Sequence, residues 1–426
     1  MKLAERLRSV MTGFHRTFWI ANGMELFERL AYYGQQIVFM IYMRNKLGFT
    51  EAQAGQLSGL FGGLLYLLPI LGGTLADKWG FRRAFSIAFS VLALGYFLIG
   101  SVGMSAFAGV YGSFDHYWLV MVFLILTAVG GSFIKPSVLG TVAATTTEQT
   151  KSLGFAIYYW LVNAGAMLGP TIAYFVRDSF GNEFVYMVSA ISCLAMLIVN
   201  LLLYKEVKSE KMEVVESLGK KIANLFVVLA NVRFMIFLLI YSLYWIIFWQ
   251  EYIIVPYYIT DFINRDAPYE IIQSWAGAGA IILLQIPLNR LTKNIPTRKA
   301  IVLGFGISSL IWLIIGLYPS IPTIAAGIVA FAIGEMIQAP RYYEYISEIA
   351  PPGQQGLFQG YAFLPIAIAR FVGDPLGGWL YQTTKSTGRI ELIWFALIGI
   401  GVLGTVLMWV YNKFVAASET KPAPAH

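Results

Sequence analysis

Apolar residues arrive along this chain in blocks of about twenty, separated by short stretches rich in charge, glycine and proline. A helix rises about 1.5 Å per residue, so roughly twenty apolar residues cross the hydrocarbon core of a bilayer, about 30 Å thick. Twelve such blocks stand at 17–43, 52–76, 83–103, 117–143, 153–177, 183–204, 234–260, 269–289, 299–318, 321–347, 355–381 and 390–412. Their length and density predict an all-α integral membrane protein of twelve transmembrane helices. The longest polar segment, 205–221 (KEVKSEKMEVVESLGKK), separates six blocks from six. The predicted organisation is therefore an N-terminal six-helix bundle over 1–204, a linker over 205–233, a C-terminal six-helix bundle over 234–413 and a tail over 414–426. Within the linker, IANLFVVLANVRF predicts an amphipathic helix lying at the membrane interface. The charged part before it reads as a solvated face with no partner of its own.

Composition agrees with this pattern. Of 426 residues 58% are hydrophobic and 12% charged, about half the charge of a soluble domain, and the mean hydropathy is +0.67. The N-terminal MKLAERLRSVMTGFHR runs straight into the first block without a short apolar region and small-residue cleavage site, so no cleavable signal is expected. The single Cys193 excludes an intrachain disulfide, and His15, His116 and His426 lack metal-ligand spacing, so neither metal nor cofactor is expected. The net charge of +7 collects at the ends of blocks rather than in a patch for nucleic acid. With both termini cytoplasmic, twenty Lys and Arg residues fall on that side and six (Arg44, Lys46, Arg177, Arg265, Lys385, Arg389) on the other, which sets the topology. In a bacterium the bilayer is the inner membrane.

The first block, TFWIANGMELFERLAYYGQQIVFMIYM, carries Glu25, Glu28 and Arg29 in its middle. Helical spacing puts Glu25 within reach of Arg29, with Tyr32, Tyr33 and Gln36 continuing the stripe. Each ionisable group at mid-bilayer costs about 2.5–3.5 kcal/mol, so such groups face a bundle interior or a watery cavity. A static Glu25–Arg29 pair that merely orients the helix is one reading. A second carboxylate beside an already satisfied pair favours a titrating site instead. Further charges fall within spans at Lys135, Glu251, Glu335, Arg341, Glu344, Arg370 and Asp374.

Lys135 precedes Pro136, which kinks the fourth span, and either snorkels to the interface or faces the interior. Glu251, with no base near it in sequence, must meet a cation from another helix, for which Lys135 is the candidate, or hold a proton. In the tenth span Glu335, Gln338, Tyr342 and Tyr345 share one face and Arg341, Glu344 and Glu348 another, which makes Glu335 the better ligand. Arg370 and Asp374, four apart, can neutralise each other.

The two halves echo one another. Arg82–Arg83 after the second span and Arg298–Lys299 after the eighth recur 216 residues apart, as expected of parallel six-helix repeats in the major facilitator architecture, two pseudo-symmetric bundles. Gly72, Gly73, Asp77, Gly80, Arg82 and Arg83 resemble that superfamily's signature loop, which implies a conformational latch at Asp77, Arg82 and Arg83.

A narrower resemblance follows. Glu25-Leu-Phe-Glu28-Arg29-Leu-Ala-Tyr32-Tyr33-Gly34 is similar to the Glu-x-x-Glu-Arg-Phe-x-Tyr-Tyr-Gly signature of the proton-dependent oligopeptide transporter family. Agreement continues at Tyr66, at Lys135-Pro136, at Gly154, Phe155, Tyr158, Asn163 and Gly165, and at Gln250-Glu251. The resemblance implies a proton-coupled, monomeric symporter of di- or tripeptides. Glu25, Glu28, Arg29 and Glu251 would couple protons, and Arg29, Tyr32, Tyr33, Tyr66, Lys135, Asn163, Glu335 and Tyr342 would bind substrate. The C-terminal half departs from that family. The eighth span (SWAGAGAIILLQIP) lacks an asparagine, the tenth reads Ala339-Pro340-Arg341-Tyr342-Tyr343, and the eleventh has Tyr361 and Phe363 in place of tryptophan. A facilitator or antiporter for another amphipathic anion or drug therefore stays open, as does a non-transporting receptor that would leave the buried charges without a purpose. No nucleophile, metal set or phosphate loop suggests an enzyme.

Overall fold

A computed structural model describes residues 13–147, 149–207, 218–351 and 354–414. Polar residues 208–217 of the linker, the first twelve residues and the tail from 415 lie outside the described residues. Helices account for nearly all of the rest, and no strand occurs among the described residues. The principal elements are α1 (Arg16–Asn45), α2 (Glu51–Leu67), α3 (Pro69–Trp79), α4 (Phe81–Val102), α5 (His116–Ala144), α6 (Lys151–Phe180) and α7 (Asn182–Leu203). After α8 (Leu218–Ala230) come α9 (Val232–Ile263), α10 (Tyr269–Thr292), α11 (Thr297–Leu317), α12 (Ile321–Ile349), α13 (Leu364–Ser386) and α14 (Leu392–Phe414).

Eight of these are long and apolar enough to cross a bilayer, and α2 with α3 makes a ninth, bent by 43°. The bend falls where Pro69 cannot donate a backbone hydrogen bond. Three more, α1, α6 and α13, run to 30, 30 and 23 residues but carry too much polarity to match the others. These twelve elements correspond to the twelve expected spans. One boundary differs: the eleventh span does not begin at 355. A short helix, Gln355–Gly360, ends at Tyr361, and α13 starts at Leu364 with Pro365 in its first turn, where a missing N–H costs nothing. A single π-helical turn ends α9 at Ile259–Ile263, and another interrupts α10 at Trp275–Gly279.

The chain divides into two compact units. Of the described residues, unit 1 takes those through Phe49 and Leu64–Leu218, and unit 2 takes Thr50–Gly63 and those from Gly219 onward. The first part of α2 is thus grouped with unit 2, whereas the sequence reading placed all of 1–204 together.

In unit 1, α1 packs on α6 and α7, and α4 on α5 and α7. Backbone meets backbone where α1 crosses α6: a Cβ at Gly34 would lie 3.2 Å from the Gly169 carbonyl oxygen, and one at Gly169 only 2.6 Å from that of Leu30. Close approach of this kind is how helices associate in lipid, where no hydrophobic effect drives them together. Ser189 Oγ, on α7, donates to the Ala31 carbonyl at 3.0 Å. In unit 2, α11 packs on α12 and α14, and α9 on α13 and α14. Aromatic rings fill its interior, with Tyr241 stacked on Tyr342 at 4.1 Å and Trp312 on Trp394 at 5.9 Å.

Outward positions are apolar, as a hydrocarbon solvent requires: Ile191, Leu202 and Leu283 are 65%, 75% and 76% exposed. Phe226, Val227 and Leu229 of α8 are exposed too, which suits a helix resting on a membrane surface. The start of the linker corrects the expectation of a solvated segment without a partner. Glu206 accepts hydrogen bonds from the Phe81 and Arg82 N–H groups at 2.9 and 2.8 Å, satisfying two of the four free donors at the N-terminus of α4.

Replacing Gly169 by Leu forces α6 away from α1 and should destabilise the protein by about 1–3 kcal/mol. Gly23→Ala, where nothing lies within 4 Å, should leave the unfolding temperature unchanged or slightly raised. Thermal unfolding in detergent distinguishes the two.

Candidate functional site

The charges of α1 are buried as its stripe requires: Glu25 is 0%, Glu28 2% and Arg29 5% exposed. Their pairing differs in one respect from the helical expectation. Arg29 Nε approaches Glu25 Oε1 at 3.4 Å, but its tighter partner is the adjacent Glu28, which accepts from Nε at 2.5 Å and from the guanidinium terminus as well. A long guanidinium can fold back to a neighbour that helix geometry points elsewhere. The spare carboxylate oxygen therefore belongs to Glu25, whose Oε2 is buried without a hydrogen-bond partner. Tyr158, on α6, places its hydroxyl 3.5 Å from Glu25 Oε1.

Around this trio unit 1 gathers most of the other residues that the sequence singled out. The Arg29 guanidinium lies 5.0 Å from the centre of the Tyr32 ring, and Tyr33 is close enough to feel its charge. Lys135 Nζ sits 4.8 Å from the centre of the Tyr66 ring and within electrostatic range of Glu28. Half-buried, Lys135 faces the interior of unit 1 rather than snorkelling away. Asn163 is buried and spends its amide on the Tyr159 carbonyl one turn back, at 2.9 Å.

Unit 2 holds carboxylates instead. Glu251 is 7% exposed and Glu335 half-buried, and the two lie within electrostatic range of each other and of Tyr244. Among the described residues, no cation of unit 2 pairs with either. Gln273, from α10, donates to the Glu251 carbonyl. Tyr342 is 2% exposed, stacked on Tyr241, and its hydroxyl donates to the Ala362 carbonyl at 2.8 Å. Packing and that hydrogen bond occupy it. Arg341 and Glu344 form a pair at 2.7 Å on the outward face of α12, as the spacing indicated.

Arg370 and Asp374 do neutralise each other, at 3.1 Å, with both side chains fully buried. Sequence reasoning missed two participants in unit 2: Ser58, which joins that pair, and Glu270, a fully buried carboxylate at the start of α10 that reads as an interfacial helix-start residue. It also missed Tyr158 as the neighbour of Glu25, though the tyrosine is part of the quoted motif. Arg82, of the signature loop, donates to the Leu201 carbonyl at 2.6 Å, Arg83 is exposed, and Asp77 is half-buried. Among the described residues, no group of three or more His, Cys, Asp or Glu side chains could hold a metal ion.

Two bundles of membrane helices with polar stripes turned inward are a fold shared by many carriers. The Major Facilitator Superfamily profile matches residues 25–266 and 240–425, nearly the whole chain. The chain belongs to this superfamily. Among its relatives, the Multidrug resistance protein MdtH of Yersinia enterocolitica is 23% identical over 371 residues, covering 87% of this chain and 88% of that protein. Dipeptide and tripeptide permease B of Salmonella typhimurium is 30% identical over 233 residues, but the match covers 52% of this chain and 44% of the permease. A crystal structure of a POT family transporter in complex with 5-aminolevulinic acid superposes with a TM-score of 0.76 over 95% of this chain and 97% of that one, at 18% identity. At that identity the likeness is one of fold. This chain is a multi-pass membrane protein of a transporter superfamily.

Removing Arg29 leaves two buried carboxylates without a counter-charge, so Arg29→Ala should cost about 3–5 kcal/mol. Glu28→Gln should cost less, because Glu25 still holds the guanidinium, and Glu25→Gln least, at under about 1 kcal/mol. The order of unfolding temperatures in detergent checks this ranking, which inverts if Glu25 is the principal partner.

Proposed function

We propose that this chain is a proton-coupled symporter that imports short peptides or peptide-like molecules by alternating access. The observation that carries the reading is a buried guanidinium held by two carboxylates, with a second cation, Lys135, close by in the same unit. Protonating Glu25 or Glu28 takes one anion from Arg29. In a medium of low dielectric an under-compensated guanidinium is a strong carboxylate site, so cargo binding and proton uptake become linked.

On this reading Arg29 and Lys135 take the carboxylate of the peptide, Asn163 and Glu335 take its amino end, and Tyr32, Tyr33 and Tyr66 flank its backbone and side chains. Glu251 shares the coupling proton with Glu25 and Glu28. Tyr342 is left out of the ligand set because its hydroxyl is already committed. Asp77, Arg82 and Arg83 serve as the latch. The Glu-x-x-Glu-Arg motif, the permease relative and the shared fold support the peptide assignment. An inward proton contributes about 2.3 kcal/mol per 100 mV of membrane potential, enough to drive accumulation. The reading includes a monomer in a bacterial inner membrane with both termini cytoplasmic. Protons are the only coupling species, and there is neither a catalysed reaction nor nucleic acid.

A second reading, a facilitator or antiporter of another amphipathic anion or drug, is favoured by a relative that matches most of the chain, a multidrug resistance protein, and by the changed sequence of the eighth, tenth and eleventh spans. A thermal-shift panel of peptides and drugs separates the two by which ligands raise the unfolding temperature.

In proteoliposomes with an inward proton gradient, a mixed di- and tripeptide pool should accumulate. Glu28→Gln should abolish gradient-driven accumulation, and Lys135→Ala should lower uptake by about tenfold or more, the loss of one charge-assisted contact. Absence of peptide-stimulated proton entry in the parent protein defeats the symporter reading.

A further inference from the structure

We propose that Arg370, Asp374 and Ser58 form a clasp that holds the first half of α2 on unit 2 and releases it during each transport cycle. The inference rests on the alternating-access reading above, and it concerns residues to which that mechanism assigns no part.

Helix α2 is continuous from Glu51 to Leu67, yet Thr50–Gly63 group with unit 2 and the residues from Leu64 with unit 1. One helix therefore serves both units, and its first half is held on unit 2 by three kinds of contact. Nearest its start, Lys385 bridges Glu51 at 3.3 Å and Asp261 at 2.7 Å, Tyr381 donates to Asp261 at 2.9 Å, and the Ala52 N–H donates to Gln382 at 3.1 Å. Along its length Gly55, Gly59 and Gly63, four apart on one face, lie against α13. A Cβ would come within 2.6 Å of the Asp374 carbonyl oxygen at Gly55, 2.8 Å of the Arg370 carbonyl oxygen at Gly59, and 2.6 Å of the Phe371 ring at Gly63. At its centre Ser58 Oγ donates to Asp374 at 2.8 Å, while Arg370 donates to the Ser58 carbonyl and hydroxyl at 3.3 and 3.2 Å. The Arg370 guanidinium in turn lies 4.1 Å over the Trp249 ring, two residues before Glu251.

A contact made to last would fill this space with apolar side chains, since a buried ion pair adds little net stability over a well-packed hydrophobic replacement. What a buried pair does supply is a single register and a ready way out. Docked, Arg370 and Asp374 neutralise each other and bond Ser58, but Arg370 Nε and Nη1 and Asp374 Oδ1 are buried without a hydrogen bond; undocked, each can recover water. The glycines let the two backbones meet closely enough for a side chain as short as serine to reach across. Asp374 and Arg370 are thus positioning residues for α2, and through Trp249 for the stretch of α9 that carries Glu251.

The test uses the full chain with Cys193→Ser, Ala52→Cys and Gln382→Cys, treated with a short reducible bis-thiol reagent. Cross-linking is read on gels after cleavage in the 208–217 linker. The parent should cross-link readily. Adding Asp374→Asn leaves Arg370 unpaired in the docked state and should slow the reaction by at least about tenfold. Adding Ser58→Ala, which keeps the ion pair, should slow it about two- to threefold, and decides the matter if the first variant does not fold. An unchanged rate in a folded variant, or no cross-linking in the parent, overturns the clasp. The cross-linked parent should also lose peptide uptake and regain it on reduction; persisting uptake overturns the release. Cross-linking needs no cargo, so failure of the peptide assignment in untreated protein is told apart from failure of the clasp.

Discussion

A charge has no stable place in hydrocarbon unless another group answers it, and the interior of this protein is arranged around that requirement. Helices α1 and α13 fall short of the apolarity of their neighbours because each carries an arginine with one or more carboxylates at mid-length. Each arginine is nearly or fully buried, and each meets its acids on its own helix before it meets anything else. Glycines then decide how close the surrounding backbones come, and hence which groups from other helices can share the charge: Tyr158 for Glu25, Ser58 for Asp374.

The two arginines differ in how completely they are answered. Arg370 has one carboxylate for its one charge, together with a hydroxyl, a carbonyl and an aromatic face, and no exposure. Arg29 has two carboxylates for one positive charge, and one oxygen of Glu25 is left over. An excess acid beside a satisfied pair is a poor structural device but a suitable place for a proton to arrive and leave. Unit 2 has the same imbalance at Glu251 and Glu335, two acids near each other with which no cation of that unit pairs among the described residues. The chemistry of the protein is expected where the charge does not close, and its mechanical fastening where it does.

Much of this was legible in the sequence. The spans follow from block length, and the burial of Glu25, Glu28 and Arg29 follows from the cost of exposing them to lipid. The two faces of α12 separate as helical spacing requires, with Tyr342 and Tyr345 buried and Glu344 and Glu348 exposed. What failed to show depends on groups brought together from distant parts of the chain. Ser58 reads as an ordinary small residue in a glycine-rich span until Asp374, more than three hundred positions later, is laid against it. Tyr342 looked available because a tyrosine on a polar face carries a hydroxyl, and nothing local announces that Ala362 takes it. Glu206 sits in a run of charges that looks uniformly wet, and its role as the cap of α4 is fixed by tertiary placement alone.

The crossing of α1 with α6 has one more consequence. At Gly34 and Gly169 the two helices touch through main chain, and Gly165 of α6 lies directly beneath the Cβ of Arg29, so no side chain stands between them to cushion a displacement. Soft aliphatic padding absorbs small movements by changing rotamers; peptide planes in contact do not. Any displacement of α1 along this line therefore meets the main chain of α6 directly, two residues from Asn163. The helix pair acts as a stiff lever whose fulcrum is built from residues with no side chains at all.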